Sequence, residues 1–389
     1  MTAIIKKENS MWGFYLIALL PLVIGLCLWI FDKQVTWQEW LGSAAAGFVL
    51  AGIMHLVAVA GMTDDVETWS GEISLAKKYG EWQEWYQEAI YRTEVYYTGS
   101  GKDRQMHTRR VFDHWEARTR WHREYWMLYS NIDTEYGVDK PEYLQVVKDF
   151  GDIQHPVAGV RRTMEHNSKM IAGDPNDYES RSVSGYIYPV TDLRHFENRI
   201  KAAPTLFSFV KVPSNMPVHT WPKNPNWRQS ERLMGHASKL IDIKKWDDMN
   251  ARLGPLKLVN VIMVGFINKD TMMGDWQQAK WIGGKKNDLV ICFDMDTKDK
   301  VAWSQVFGWT EREDCKRNLE TILLTNPIND DIIPLIEKEI RHSYIIKDWS
   351  KFDYITIEPP RWSYVVYILL MLMIQGGLYF WFHVNEFVK

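Results

Sequence analysis

The sequence has little of the chemistry that marks enzymes and small secreted domains. Three cysteines in 389 residues exclude a disulfide framework and a CxxC-type metal cluster. Cys27 lies in an apolar run, so a single Cys292–Cys315 bridge or buried free thiols remain as alternatives, and we favour free thiols. No Walker loop, dinucleotide GxGxxG turn, HExxH or GxSxG is present. We therefore expect neither catalytic residues nor a cofactor.

An excess of charge of one sign is also absent. The chain has 46 Lys and Arg against 49 Asp and Glu, for a formal net charge of -3. Nucleic-acid binding normally requires a clearly basic face, so we expect no nucleic-acid partner. Tryptophan is abundant instead, with 20 residues. Most lie between residues 69 and 362, which indicates packing or recognition in that region.

Three long apolar runs dominate the sequence. After a tail at residues 1–10, they predict transmembrane helices at residues 11–31, 41–61 and 364–383, and thus a multi-pass protein in a lipid bilayer. Pro21 would kink the first helix without preventing insertion. A cleaved signal peptide is rejected because the first run is long, lacks a small-residue cleavage site and is followed at once by a second run.

The second run carries small residues at every fourth position. Ser43, Gly47 and Ala51 would form one stripe that lets another helix approach closely. We expect this stripe to support a homo-oligomer. Two polar residues, His55 and Gln375, lie within the apolar runs. Such residues can mark a conduction path, but an interhelical hydrogen bond is the interpretation we favour.

The basic residues near the apolar runs are distributed unevenly. The amino terminus has Lys6 and Lys7, and the carboxyl-terminal tail has only Lys389. The flanks of the central region are rich in basic residues: Lys77, Lys78, Arg341, Lys347, Lys351 and Arg361. Since basic residues favour the cytoplasmic side, we expect the amino terminus and the large domain there.

Residues 62–154 form an aromatic, β-rich region with a hairpin turn at Gly99–Asp103. In the run RRVFDHWEARTRWHREYWML, the aromatic residues form no clean period-two face without a bulge. Four residues of this run share a parity and could line one sheet face: His114, Glu116, His122 and Glu124. They are either metal ligands or part of a solvated, arginine-rich charged face. We favour the charged face.

Residues 155–234 are rich in turns and predict an irregular connecting region. Residues 235–358 alternate helices and strands, which indicates an α/β layer and an α+β chain overall. We expect a helix closed by Gly254, a buried central strand in LVNVIMVGF and a last strand in DYITIE.

The string WIGGKKNDLVICFDMDTKDKVAWSQVFGW follows the VNVIMVGF strand and precedes a helical pair. Over residues 235–345 the chain resembles a TPM-type domain. The resemblance implies an α/β/α layer tied to membrane segments, and some such domains are assigned phosphatase activity or metal binding. The acidic residues nearest such a role are Asp288, Asp294, Asp296 and Asp299. A polar hairpin turn explains DMDTKD equally well, and we favour the turn.

A longer resemblance rests on ETWSGEI, HNSKMIAGDPNDYESR, YPVTDLRHFENRIKAAPTLFSFVKV and WIGGKKNDLVICF. Over most of residues 64–357 the chain is similar to uncharacterised membrane-anchored proteins of large tailed bacteriophages. This resemblance implies a phage source and other membrane or phage proteins as partners. It brings no activity.

Together these features favour a membrane-anchored, non-catalytic interaction or assembly protein that is oligomeric. A TPM-like membrane-bound hydrolase using a divalent cation is the first alternative. An oligomeric channel or transporter is the second.

Overall fold

A computed structural model describes the chain at these residues: 12–31, 36–101, 104–150, 155–156, 168–174, 176–182, 187–203, 210–224, 226–228, 230–267, 270–297, 300–357 and 359–385. The chain is a mixture of about 41% helix and 34% strand. It divides into two compact units, Met1–Trp69 together with Thr191–Lys389, and Ser70–Val190.

The elements of the described residues, in chain order, are α1 (Trp12–Ile17), α2 (Leu19–Phe31), α3 (Trp37–Thr63), β1 (Asp64–Tyr79), β2 (Trp82–Thr98), β3 (Gln105–His122), β4 (Tyr125–Ser130), β5 (Glu135–Val138), α4 (Lys140–Phe150), β6 (His155–Pro156), β7 (Ser168–Gly173), β8 (Asp177–Arg181), β9 (Pro189–Glu197), β10 (Leu233–Gly235), α5 (Ala237–Leu240), α6 (Ile243–Lys257), β11 (Asn260–Phe266), α7 (Met273–Lys280), β12 (Asp288–Thr297), β13 (Lys300–Gly308), α8 (Glu313–Thr325), α9 (Ile332–Ser343) and α10 (Arg361–Asn385).

Two helices of the described residues are long and apolar enough to cross a membrane, Trp37–Thr63 and Arg361–Phe382. The first predicted span is a shorter apolar helix, Gly13–Cys27, with a turn at Ala18 between α1 and α2. The turn lies three residues before Pro21, which has no N–H to donate and whose ring clashes with a carbonyl one turn earlier. Two of the three predicted spans therefore have the required length, and the third crossing stays a prediction.

The small-residue stripe of α3 packs against helices of the same chain. Ser43 and Ala51 are fully buried. A Cβ added at Gly47 would lie 3.2 Å from Cγ of Pro21 and 3.6 Å from Cε of Met371. The predicted close approach of helices at this stripe is therefore present within one chain, between α3 and the helices α2 and α10, and the homo-oligomer stays a prediction.

The α/β layer is a four-stranded sheet in the order β10-β11-β12-β13. The first three strands are parallel, and β13 runs antiparallel to β12. Every residue of β11 is buried, as predicted for a central strand. Val261 and Met263 pack towards α6, α8 and α9, whereas Ile262 and Val264 pack towards α7. Helices therefore cover both faces of the sheet.

Two predictions in this layer were wrong, the end of one helix and the presence of the last strand. Helix α6 continues past Gly254 to Lys257, and Leu258 ends it in the left-handed conformation at φ 52°, with its N–H donating to the Gly254 carbonyl. The DYITIE segment is not a strand in its described residues, where a 3₁₀ turn at Trp349–Phe352 leads into irregular backbone. An isolated apolar alternation specifies a strand only when a sheet edge is available to pair with it.

The second unit contains an antiparallel sheet ordered β5-β4-β1-β8-β6, on which α4 packs with Tyr143, Val146 and Phe150 buried. The predicted single run across Arg123 and Glu124 is two strands, β3 and β4, which belong to different sheets. Strands β7, β8 and β9 lie in the region predicted to be irregular. These strands pair with strands that are distant in sequence. A local sequence pattern cannot predict such pairing.

The cysteines of the α/β layer are both buried and unbridged. Cys292 lies on the α7 face of the sheet, and Cys315 lies in the core on the opposite face. The sheet separates the two thiols, so the alternative of a bridge between them is excluded. Burial raises the pKa of both thiols.

Candidate functional site: an aromatic β-hairpin

Strands β2 and β3 form a long antiparallel hairpin in the second unit. Their register runs from Trp82 opposite His122 to Thr98 opposite Gln105. At about 3.4 Å per residue, the 17 residues of β2 span about 55 Å. Strand β7 pairs with β2 only over Trp82–Tyr86. Beyond that base, no other strand in the described part of the chain pairs with the hairpin.

A β-bulge at Asp113 determines which side chains share a face. Ile90 is opposite His114 and Tyr91 is opposite Phe112, so Asp113 is an extra residue in β3. An extra residue reverses the alternation of side chains along the bulged strand. The even-numbered residues from Met106 to Phe112 therefore share a face with the odd-numbered residues from Trp115 to Trp121. This is why a period-two pattern across the whole run revealed no clean face.

One face of the hairpin, here called the aromatic face, consists of sixteen residues that follow from this register: Gln83, Trp85, Gln87, Ala89, Tyr91, Thr93, Val95, Tyr97, Met106, Thr108, Arg110, Phe112, Trp115, Ala117, Thr119 and Trp121. None of them is acidic. Most of the large side chains are exposed, with exposed fractions of 52% for Trp115, 50% for Tyr91 and 64% for Met106, whereas Trp85 at the base is half-buried. Phe112 contacts both Tyr91 and Trp115, with ring centroids 6.1 and 5.6 Å apart.

The cations on this side of the hairpin lie over aromatic rings. The Arg110 guanidinium is 5.1 Å from the centroid of Tyr91, and the Arg104 guanidinium is 4.1 Å from that of Tyr97. At the base, the Lys169 ammonium is 5.3 Å from the Trp85 ring. None of these three cations forms an ion pair with a carboxylate in the described residues. The aromatic face therefore combines exposed aromatic rings with cations that have no carboxylate partner in the described part of the chain.

The opposite face, here called the charged face, consists of the other paired residues of β2 and β3. Its acidic and basic side chains pair with one another. Glu94 pairs with Arg109 at 3.0 Å and with Arg92 at 2.9 Å, and these hydrogen bonds lower the pKa of its carboxyl. Further along the hairpin, Arg118 lies 2.8 Å from Glu88. Each of these charges has a partner across or along the strands, so this face is complete without another molecule.

The four residues predicted to line one face divide between two locations. His114, Glu116 and His122 lie on the charged face, where His122 is 3.1 Å from Glu84. Glu124 lies beyond β3 and is 3.4 Å from Lys140. Among the described residues, no group of three or more His, Cys, Asp or Glu side chains is arranged to hold a metal ion. His122 and Glu124 therefore each lie beside an ionisable side chain, as is typical of a charged face.

The acidic residues singled out in the α/β layer do not meet. Asp288 begins β12 fully buried, whereas Asp294 is buried about 20 Å further along the strand. Asp296 is exposed, and Asp299 lies outside the described residues. The Asp288 carboxylate accepts hydrogen bonds from Nδ2 of Asn260 and the N–H of Lys285. Burial raises the pKa of Asp288.

Sequence reasoning missed the buried arginine beside this carboxylate. Arg232 donates from Nε to Asn260 at 2.8 Å and from Nη1 to Asp247 at 3.0 Å. Asn260 in turn donates to Asp288, so the network ties β10, β11, β12 and α6 together. The sequence offered one signal of this network, since the apolar strands β11 and β12 each begin with a polar residue, Asn260 and Asp288. A cavity of about 180 Å³ adjoins Asp288 and Asn260, and among the described residues that line it no nucleophile is paired with a base.

The two polar residues of the apolar runs behave differently. Gln375 is buried and donates from Nε2 to the Ser43 carbonyl at 3.0 Å, while the Ser43 hydroxyl contacts the Gln375 amide oxygen. This is the interhelical hydrogen bond predicted for Gln375. His55 instead stacks obliquely on Tyr15 at 5.8 Å, and its Nδ1 has no hydrogen-bond partner in the described residues. The hydrogen bond predicted for His55 is absent there.

No known protein family, curated protein or solved structure matches the chain.

Proposed function

We propose that this protein is a membrane-anchored, non-catalytic interaction or assembly protein that docks a partner on the aromatic face. One observation carries the proposal: the hairpin saturates the charges of one face and exposes an uncovered aromatic surface on the other. Monomeric soluble proteins rarely expose contiguous apolar patches of this kind unless the patch binds something.

The instability of an isolated hairpin supports the same conclusion. A two-stranded ribbon is marginally stable in water, because each side chain has neighbours on only one strand. Beyond Tyr86 the hairpin lacks a third strand in the described residues. A partner that covers Tyr91, Phe112 and Trp115 would remove large aromatic side chains from water. Aromatic residues placed in this way are typical anchors of protein interfaces.

The anchor consists of the apolar helices, and the large domain is on the cytoplasmic side in this proposal. Helices α3 and α10 supply two crossings, and the α1–α2 segment supplies a third. The basic residues near these helices support this orientation. The partner is thus one that a membrane-tethered hairpin meets in the cytoplasm.

Single cysteines on the two faces of the hairpin test the docking proposal. Thr108 lies on the aromatic face and Gln105, three residues away, on the charged face, and both are exposed. In a Cys27→Ser background, Thr108→Cys should react slowly with maleimide in native membranes and rapidly in detergent. Gln105→Cys should react rapidly in both. Equal reactivity of the two positions in native membranes would contradict a docked aromatic face.

The same variants show on which side of the membrane the hairpin lies. Gln105→Cys in intact spheroplasts should resist a membrane-impermeant maleimide and react after lysis. Rapid labelling of intact spheroplasts would place the hairpin outside the cytoplasm and leave the docking result unaffected.

A further inference from the structure

We infer that the partner of the aromatic face is an anionic lipid surface. This inference rests on the docking function proposed above and names its partner. Two sets of observations carry it: the chemistry of the face, and two apolar helices that are long enough to cross a membrane.

The side chains of this face are those that a bilayer interface accommodates. Tryptophan and tyrosine concentrate at the headgroup level, where an apolar ring and a polar edge are both satisfied. The exposed residues include Trp115, Tyr91 and Tyr97, with Phe112 and Met106 between them as purely apolar groups. Together they form a surface whose rings can enter the acyl boundary while the backbone remains outside it.

The charges of the face favour a negatively charged partner. Arg104, Arg110 and Lys169 have aromatic rings beneath them and no described carboxylate as a partner, and the sixteen residues of the face include no acidic group. Long basic side chains can bury their stems beside apolar groups and extend their heads to phosphates. Anionic headgroups would supply the missing counterions.

A second copy of the chain fits less well. Two aromatic faces packed against each other would bring arginines of both copies together with no acidic residue to neutralise them, which is unfavourable. Single-stranded nucleic acid also stacks on aromatic rings, but it normally requires a basic groove that follows its backbone. Three cations along about 55 Å do not form such a groove.

Fluorophore-labelled hairpins in proteoliposomes test the inference. The full chain carries an environment-sensitive fluorophore at Thr108→Cys or at Gln105→Cys, in vesicles of phosphatidylcholine with or without phosphatidylglycerol. With phosphatidylglycerol, emission from Thr108→Cys should shift to the blue and be quenched by brominated lipid. Gln105→Cys should change less, because the charged face points away from the lipid.

Matched charge variants test the role of the cations. Arg104→Gln with Arg110→Gln should weaken the lipid response, by roughly fivefold for each arginine removed. Arg92→Gln with Arg109→Gln removes the same charge from the charged face and should leave the response unchanged. If both pairs weaken it equally, net charge rather than this face is responsible, and the inference fails.

The remaining outcomes also overturn the inference. Absent or equal quenching at the two positions would exclude lipid contact. A blue shift that depends on protein density and not on brominated lipid would indicate a second copy. A shift caused by an added oligothymidylate would indicate nucleic acid. In all three cases, slow labelling of Thr108→Cys in native membranes would still support docking, so the two proposals can fail separately.

Discussion

Tyr91 and Phe112 lie directly opposite each other across the hairpin, with their rings perpendicular and their centroids 6.1 Å apart. They meet immediately beside the bulge at Asp113. If Asp113 were paired in a regular ladder instead of bulged, Trp115 and Trp121 would lie on the face opposite to Phe112. The bulge therefore joins two aromatic segments of opposite parity into one face.

Deleting Asp113 should preserve the aromatic face, because Phe112 stays opposite Tyr91 in a regular ladder. Labelling at Thr108→Cys should be unchanged, and the melting temperature should stay close to that of the parent. Deleting Ala117 is the control, since it would move Glu116 onto the aromatic face and Trp115 onto the charged face. If Thr108→Cys became rapidly labelled after deletion of Asp113 but not after deletion of Ala117, this register would be contradicted.

Gly47→Leu should destabilise the helical bundle by about 1–3 kcal/mol, the usual cost of overpacking. Its Cβ would already be 3.2 Å from Pro21, with the Ala18 carbonyl oxygen 3.5 Å away. Gly52→Leu is the control, because a Cβ there meets nothing within 4 Å. Thermal unfolding in detergent measures both. A lower oligomeric mass for Gly47→Leu with unchanged stability would instead support the prediction that this stripe forms contacts between copies.

Arg232→Leu should reduce the free energy of unfolding by about 3–5 kcal/mol at neutral pH, because it leaves Asp247 buried without its partner. Desolvation already raises the pKa of Asp247, and the loss of Arg232 raises it further. The folded state then binds the proton more tightly than the unfolded state. The loss in free energy of unfolding caused by Arg232→Leu should therefore be small near pH 4. It should grow as pH rises through the pKa of Asp247 in the folded variant.

Urea unfolding at several pH values measures this deficit. Arg232→Leu combined with Asp247→Leu removes the titrating group, so the pH dependence of the deficit should disappear and part of the stability should return. A deficit that is independent of pH in the single variant would mean that Asp247 is not the orphaned charge.

Ile262→Asp should abolish folding of the α/β layer, because a charge in a fully buried strand costs several kcal/mol. Ile262 is 1% exposed, whereas Ile267, just beyond the same strand, is 72% exposed. Ile267→Asp should therefore leave yield and protease resistance unchanged. Equal yields of the two variants would show that β11 is not the centre of this layer.

The sequence by itself determined the features that depend on composition and local pattern. The apolar runs predicted α3 and α10, which are long and apolar enough to cross a membrane. Continuous apolarity predicted β11 as a buried strand. Each of these features is specified by residues that are neighbours along the chain.

Only the tertiary structure decided the features that depend on pairing between distant segments. The aromatic face could not be predicted, because its parity changes at a bulge that exists only when β2 and β3 are in register. The stripe at Ser43, Gly47 and Ala51 was recognisable as a packing surface, but its partner was not, since small residues fit a helix from the same chain or another equally well. In the structure α2 and α10 of the same chain contact this stripe, and a contact with a second copy stays a prediction.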